Sequence, residues 1–270
     1  MAEHGASAGT PVLVFHGLPG SRRQRHPDDG IALSLGARLL HFDRPGFGRS
    51  TPARRRSLPQ IVADVEQLCK ALSLKHIRLA GVSGGAPYAL ACAALLQERV
   101  VKTAIVSGIG PPGTMRGGKF QMRNRLGLLI APRAAWALRP FAWGMGSLGR
   151  GNPEAYLDAV GAVLNGADRQ ALAHPAVRTM FAEDLAEAFA QSSAAFVQDL
   201  ALVAGDWGFD LGAVRSPVRL WHGGEDLAVP AVAAQAIAAR VRGAQLTLLP
   251  RGGHFLVFER WREILAWLLV

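Results

Sequence analysis

The chain has 270 residues, half of them apolar, which is enough for one large domain or for a core with an insertion. It contains only two cysteines, so no disulfide framework is indicated and a reduced, cytoplasmic setting is expected. The N-terminus lacks the pattern of a signal peptide, and the most apolar stretch, 126–145, is interrupted by two prolines and two arginines. We therefore expect no stable membrane insertion.

The net charge is +10, from 30 lysine and arginine residues against 20 acidic residues. An acidic partner or a membrane surface would account for such a charge. The basic clusters, such as residues 54–56, are short, and no nucleic-acid-binding motif accompanies them. An arginine-rich surface without a specific partner is the simpler interpretation, and no nucleic-acid partner is expected.

The first 110 residues alternate between short apolar runs and helical patterns. Four runs have the length of buried strands, at 11–15, 38–42, 76–80 and 100–106. Between them, apolar residues recur with helical spacing over 58–72, and good helix formers occupy 86–96. This alternation predicts right-handed βαβ units and a mostly parallel sheet with helices on both faces.

The rhythm changes between residues 111 and 212, where the sequence predicts no buried strand. Helical patterns occur instead, around 153–164, 167–173 and 182–202. Strands are predicted again at 217–221 and 245–249, with a helix over 231–241 and a last helix from about residue 255. We therefore predict an α/β core formed by 1–110 and 213–270, with 111–212 inserted as a helical cap.

One serine lies between a predicted strand and a predicted helix, in the sequence Gly81-Val82-Ser83-Gly84-Gly85. A tight strand-to-helix turn needs neighbours without side chains, and it holds the serine in a strained conformation with its hydroxyl above the sheet. The backbone N–H of Gly84 would then point to the place of a reacting carbonyl oxygen. This context predicts a nucleophile at Ser83, although a glycine-rich packing turn would have a similar sequence.

Two further loops follow late strands and carry an acid and a histidine. His222-Gly223-Gly224-Glu225-Asp226 follows the strand at 217–221, and Gly252-Gly253-His254 follows the strand at 245–249. Because the carboxyl ends of parallel strands share one edge of a sheet, Ser83, Asp226 and His254 can converge there. The chain order Ser, Asp, His is one of the known orders of a catalytic triad.

Five motifs in this order resemble those of the α/β-hydrolase fold family, and the resemblance covers nearly the whole chain. They are His16-Gly17 with Pro19-Gly20, Asp43 with Gly46, Gly48 and Ser50, Gly81 to Gly85, His222-Gly223 with Asp226 and Val229-Pro230, and Gly253-His254. The resemblance implies Ser83 as nucleophile, His254 as general base and Asp226 as its orienting acid. It also implies an oxyanion hole formed by the backbone N–H groups of Leu18 and Gly84.

The resemblance is incomplete at the N-terminus. Family members usually have an antiparallel hairpin before the strand at 11–15, and only ten residues precede that strand here. The hairpin is therefore expected to be missing or short.

The resemblance and the serine together predict a hydrolase that cleaves a small-molecule carboxylic ester, lactone or thioester. Relatives that displace halide or open epoxides have aspartate at the elbow, whereas this chain has serine. Two alternatives stay open, a proline-iminopeptidase-like aminopeptidase and a non-catalytic ligand-binding member of the fold. Glu183, Asp184 and Glu187 form the one acidic cluster that could bind the α-ammonium group of a peptide.

We expect neither a cofactor nor a metal ion. The sequence has no phosphate-binding loop or dinucleotide fingerprint, and its histidines lack partners at metal-ligand spacing. His16 is expected to hold its loop rather than to take part in the chemistry. The sequence leaves the physiological substrate and the oligomeric state open.

Overall fold

The computed structural model describes residues 1–53, 56–115 and 121–270, without the side chain of residue 123. Two arginines of the basic cluster at 54–56, and Phe120 of the predicted cap, thus lie outside the described residues. The described chain forms one seven-stranded sheet. Its strands are β1 (Ala2–Gly5), β2 (Thr10–Phe15), β3 (Ala37–His41), β4 (Ile77–Val82), β5 (Val100–Val106), β6 (Val218–Gly223) and β7 (Gln245–Leu249).

The strand order is β1-β3-β2-β4-β5-β6-β7, and every neighbouring pair is parallel except β1 with β3. The predicted α/β-hydrolase fold with a mostly parallel sheet is therefore confirmed. The antiparallel part is reduced to the four-residue β1. From β2 the chain passes to β3 on one side and then to β4 on the other, so a topological switch point lies between β2 and β4. Ligands of open α/β sheets bind at the carboxyl ends of strands at such a point.

Helices cover both faces of the sheet. They are α1 (Gly30–Ser34), α2 (Leu58–Ala71), α3 (Ala86–Leu95), α4 (Met122–Ala134), α5 (Arg139–Gly151), α6 (Pro153–Gly161), α7 (Gly166–Ala173), α8 (Pro175–Ala188), α9 (Ala194–Ala204), α10 (Val232–Ala238) and α11 (Val257–Leu269). Alternate residues of each strand enter different cores. In β2, for example, Leu13 packs with α2, α3 and α10, whereas Val12 and Val14 pack with α11.

Six of these helices, α4 to α9, lie between β5 and β6, and the described part of 111–212 contains no strand. The helix predicted over 182–202 is in fact two helices, because α8 ends at Ala188 and α9 begins at Ala194 after two serines. The Ser192 hydroxyl accepts a hydrogen bond from the Ala194 N–H, which satisfies a backbone group at the start of α9. The apolar pattern did not predict α4 and α5, because Pro132 and Pro140 interrupt it there.

Buried ion pairs join the inserted helices to the loops of the sheet. Asp199 of α9 is buried and accepts hydrogen bonds from Arg44 Nε, at 2.7 Å, and from Arg56 Nη1, at 2.6 Å. Because a buried carboxylate without a cation is costly, these contacts fix α9 above the loop after β3. Among the described residues, no helix is long and apolar enough to cross a bilayer.

Candidate active site

Ser83 lies where β4 ends, on a short 3₁₀ turn over Ser83–Gly85 that leads directly into α3. Its backbone φ is +52°, in the left-handed region that a serine adopts only under strain. The turn is tight enough that a side chain at Gly85 would collide with the carbonyl oxygen of Phe15 in β2. The glycines of the motif thus allow the turn to pack closely against β2, and the backbone strain of the turn lies at Ser83.

The structure brings Ser83, His254 and Asp226 together in one hydrogen-bonded chain. The Ser83 Oγ is 3.0 Å from His254 Nε2, and His254 Nδ1 is 2.8 Å from Asp226 Oδ2. The side chain of Asp226 is fully buried, whereas that of His254 is 12% exposed. The three residues come from the loops after β4, β6 and β7, as the sequence analysis expected of strands that share one edge.

The carboxylate of Asp226 is held by its own loop. Its Oδ1 accepts hydrogen bonds from the N–H groups of Ala228 and Val229, both at 2.8 Å, which leaves Oδ2 facing His254. His222 lies beside it, with Nε2 2.9 Å from the Val229 carbonyl oxygen and 3.5 Å from Asp226 Oδ2. Burial lowers the pKa of His222 despite the charge of Asp226 nearby, so this histidine is neutral near pH 7.

The pKa of His254 is shifted in the opposite direction to that of His222. Burial alone would lower its pKa, but the charge and hydrogen bond of Asp226 outweigh burial, and the charge of Asp168 adds to them. The pKa of His254 is therefore raised above its ordinary value. An imidazole placed this way can accept a proton and then remain stable as imidazolium.

The loop after β2 lies directly against the elbow. A Cβ on Gly84 would come within 2.7 Å of the Leu18 Cβ and 3.3 Å of the Leu18 backbone nitrogen. A side chain at position 84 would therefore displace the loop of Leu18. The two residues that the resemblance implies as oxyanion-hole donors are thus neighbours at the switch point between β2 and β4.

His16 is buried inside the loop that carries Leu18 and does not reach Ser83 by a hydrogen bond. Its Nδ1 donates to the Gly17 carbonyl oxygen at 2.9 Å, and the Arg44 guanidinium donates to the carbonyl oxygens of both His16 and Gly17. Burial, together with the nearby positive charge of Arg44, lowers the pKa of His16 far below its usual range. These contacts fix the shape of the loop.

Asp168 of α7 is a residue near the site that the sequence analysis missed. It is 2% exposed, and its Oδ1 accepts a hydrogen bond from the Phe255 N–H at 2.7 Å. The His254 N–H also lies near this carboxylate and stabilises its charge. Burial raises the pKa of Asp168, while these backbone donors and the nearby His254 oppose the rise. The inserted helix α7 therefore holds the backbone of the histidine loop.

Asn165 caps the same helix and reaches the loop of the acid. Its Oδ1 accepts the Asp168 N–H at 2.7 Å, and its Nδ2 donates to the Glu225 carbonyl oxygen at 2.5 Å. The sequence Asn-Gly-Ala-Asp at 165–168 predicts a helix start, but nothing in it indicates the two loops that these side chains contact. No cluster of His, Cys, Asp and Glu within 1–53, 56–115 and 121–270 could hold a metal ion.

Proteins with related sequences are known. Across 253 residues the chain is 27% identical to a protein of Variovorax paradoxus named as a candidate carbamate hydrolase, RutD. This match covers 93% of this chain and 87% of the relative. Over 106 residues it is 34% identical to a proline iminopeptidase of Xylella fastidiosa, but this match covers only 36% of the chain and 32% of the relative.

Solved structures share the whole fold. The enol-lactonase of Burkholderia xenovorans LB400 superposes with a TM-score of 0.70 at 20% identity, covering 98% of this chain and 92% of the lactonase. The sequence model of the alpha/beta hydrolase family matches residues 12–267. The chain therefore belongs to the α/β hydrolase family, and it is an enzyme of the hydrolase class.

Proposed function

We propose that this hydrolase cleaves a carboxylic ester, or a lactone or thioester, through an acyl-enzyme formed on Ser83. The observation that carries the proposal is the continuous chain from Ser83 Oγ to His254 Nε2 and from His254 Nδ1 to Asp226 Oδ2. A strained serine beside a histidine that a buried carboxylate orients is the arrangement that nucleophilic acyl transfer needs.

In the first step, neutral His254 accepts the proton of Ser83 while the serine oxygen attacks the carbonyl carbon of the substrate. Asp226 stabilises the imidazolium that results, and its hydrogen bond to Nδ1 keeps Nε2 free to accept that proton. The backbone N–H groups of Leu18 and Gly84 stabilise the oxyanion of the tetrahedral intermediate. Each such donor contributes about 3 kcal/mol to transition-state stabilisation.

In the second half of the reaction, the imidazolium of His254 protonates the leaving alcohol or thiol as the carbon–oxygen or carbon–sulfur bond breaks. His254 then removes a proton from water as the water oxygen attacks the acyl carbon, and it returns that proton to Ser83 Oγ when the bond between the acyl carbon and Oγ breaks, which releases the acid. The complete proton path makes a non-catalytic ligand-binding protein the weaker alternative.

The aminopeptidase alternative requires carboxylates that are free to bind an α-ammonium group, and the candidate acids already have partners. Asp184 accepts hydrogen bonds from the N–H and hydroxyl of Ser21, both at 2.7 Å, and from Gln24 at 3.0 Å. Glu187 pairs with Arg22 at 2.6 Å, and Glu183 pairs with Arg23 at 3.0 Å. A buried cation without a carboxylate is very costly, so an uncharged substrate is favoured.

We also propose that residues 111–212 act as a cap on a core formed by 1–110 and 213–270, and that the cap shapes the substrate pocket. Phe181 of α8 supports this role, because its ring lies 5.1 Å, centroid to centroid, from that of Phe255, next to His254. A cytoplasmic location is proposed as well, since Cys69 and Cys92 are both buried and unpaired.

The test of the proposed reaction compares kcat/KM for a short-chain aryl ester with that for a prolyl arylamide that carries the same aryl ring. We expect the ester to be preferred by tenfold or more, and Ser83→Ala to lose turnover of both. A preference for the arylamide by tenfold would replace the ester proposal with the aminopeptidase.

A further inference from the structure

The basic charge of this protein is concentrated in one segment. Residues 111–152 contain seven lysine and arginine residues and no aspartate or glutamate. This segment includes α4 and α5, and both helices pack on α9 together with the 3₁₀ turn over Ala135–Leu138 that joins them. Among the described residues of this segment, Arg125, Arg133, Arg139 and Arg150 are exposed, so its surface presents charge of one sign.

The same face exposes large apolar side chains. Trp136 is 71% exposed and Trp143 is 66% exposed, and no other described tryptophan is an exposed side chain. In α4 the exposed apolar residues Met122, Leu126 and Leu129 recur with the spacing of one helical stripe. Soluble monomers rarely leave such a set of apolar side chains in water without a partner for it.

The cations on this face are available to a partner. Arg133 follows the apolar stripe of α4, and Arg139 begins α5 between the two tryptophans. Both are exposed, and neither forms an ion pair with any residue that the structure describes. Exposed tryptophans between unpaired arginines are typical of helices that lie in the interface of an anionic membrane.

We propose that the face formed by α4, the 3₁₀ turn and α5, here called the basic apolar face, docks this protein on the surface of an anionic phospholipid membrane. The arginines would contact lipid phosphates, while Trp136, Trp143 and the stripe of α4 would enter the headgroup region. A second copy of the chain fits this face less well. A symmetric dimer would bring two segments of purely positive charge together.

The test is co-sedimentation of the whole protein with vesicles, which needs no substrate and is independent of the proposed hydrolysis. We expect binding to phosphatidylcholine vesicles that contain one third phosphatidylglycerol, and none to pure phosphatidylcholine. Binding should be lost near 1 M salt, where the Debye length is about 3 Å. It should also shift tryptophan emission to shorter wavelength, because Trp207, Trp221 and Trp261 are already buried.

Two double variants test which surface binds. Arg133→Glu with Arg139→Glu should lower the partition coefficient on the order of 25-fold or more, since each cation at an anionic surface contributes about fivefold. Trp136→Ala with Trp143→Ala should also weaken binding. The control pair Arg240→Glu with Arg242→Glu, which changes exposed cations after α10, should leave it within about twofold.

Three results would overturn the proposal. One is the absence of binding to the anionic vesicles. Another is a control pair that weakens vesicle binding as much as Arg133→Glu with Arg139→Glu does. That result would mean that the net charge of the protein alone attracts it to the vesicles. The third is a protein that does not bind vesicles but forms a dimer, which the Trp136→Ala with Trp143→Ala variant dissociates. That result would assign the basic apolar face to self-association.

Discussion

Ser83, the proposed nucleophile, has a strained backbone. Its φ of +52° is favourable only for glycine, and the surrounding turn maintains it. We predict that Ser83→Gly is more stable to urea than Ser83→Ala by about 1 kcal/mol, because alanine keeps the strain that glycine relieves. Both variants lack the hydroxyl, so the comparison isolates the backbone. Equal stabilities would show that the turn is not strained at this position.

His254 should set the acidic limb of the pH–rate profile. As a base it must be neutral, so activity falls as the pH drops through its pKa. Since Asp226 raises that pKa, the limb should lie above the ordinary histidine value of about 6.5. Asp226→Asn should move the limb to lower pH and reduce kcat by roughly 10⁴-fold.

The control for this experiment is the exposed His174 at the start of α8. His174→Ala should leave both the limb and the rate unchanged, whereas His254→Ala should remove nearly all turnover. Full activity of His254→Ala would show that another histidine is the base.

At the scale of elements, α7 couples the inserted helices to the loop of His254 through Asp168. Its negative charge raises the pKa of His254, so Asp168→Asn should move the acidic limb to lower pH while one backbone acceptor is kept. Asp168→Ala should lower kcat further, since the Phe255 N–H of the histidine loop then loses its acceptor. Two other titratable groups interact electrostatically with His254. Asp226 raises the pKa of His254, and the charge of His254 contributes to the lowered pKa of His222.

Glu98→Gln serves as the matched change, because Glu98 is exposed at the far end of α3. It should leave the limb in place. If Asp168→Asn lowers the Tm but leaves the acidic limb of the pH–rate profile at the same pH, Asp168 has only a structural role. The position of the His254 ring resonance as a function of pH gives the same comparison without turnover.

A substitution at Phe181 tests whether the proposed cap shapes the substrate pocket. Phe181→Ala should widen the space beside Phe255 and change kcat/KM between a short and a longer acyl ester by about tenfold, which corresponds to about 1.4 kcal/mol. The rate of fluorophosphonate labelling should change much less, because the nucleophile and its base are untouched. Equal losses for both esters and for labelling would mean that Phe181 supports the triad and not the pocket.

The elements differ in how well their sequences predict them. β5 and β7 have the predicted bounds, because each is a short, mostly apolar run with clear ends, although β7 is an edge strand whose residues are exposed or half-buried. The inserted helices are harder to predict, since α4 exposes part of its apolar surface and contains Pro132. The contacts of Asp168 have no local signal at all, because their partners lie nearly 90 residues away.

At the scale of the molecule, the order of the strands explains why distant loops can form one site. The chain reverses direction across the sheet at β2, which places the loop of Leu18 beside the elbow of Ser83. The sequence could predict that Ser83, Asp226 and His254 share one edge, since each follows a strand. It could not predict that α7, α8 and α9 attach by buried carboxylates to the loops after β7, β2 and β3, because such contacts depend on how the inserted helices pack.

The central claim is that Ser83 is an activated nucleophile, and covalent labelling tests it most directly. A fluorophosphonate should add one phosphonyl group per chain, and mass spectrometry of the digested protein should place it on the peptide that contains Ser83. Ser83→Ala should take up no label, and Ser83 in His254→Ala should react far more slowly than in the unmodified protein. Undiminished labelling of Ser83→Ala, or a label found on another residue, would contradict the account.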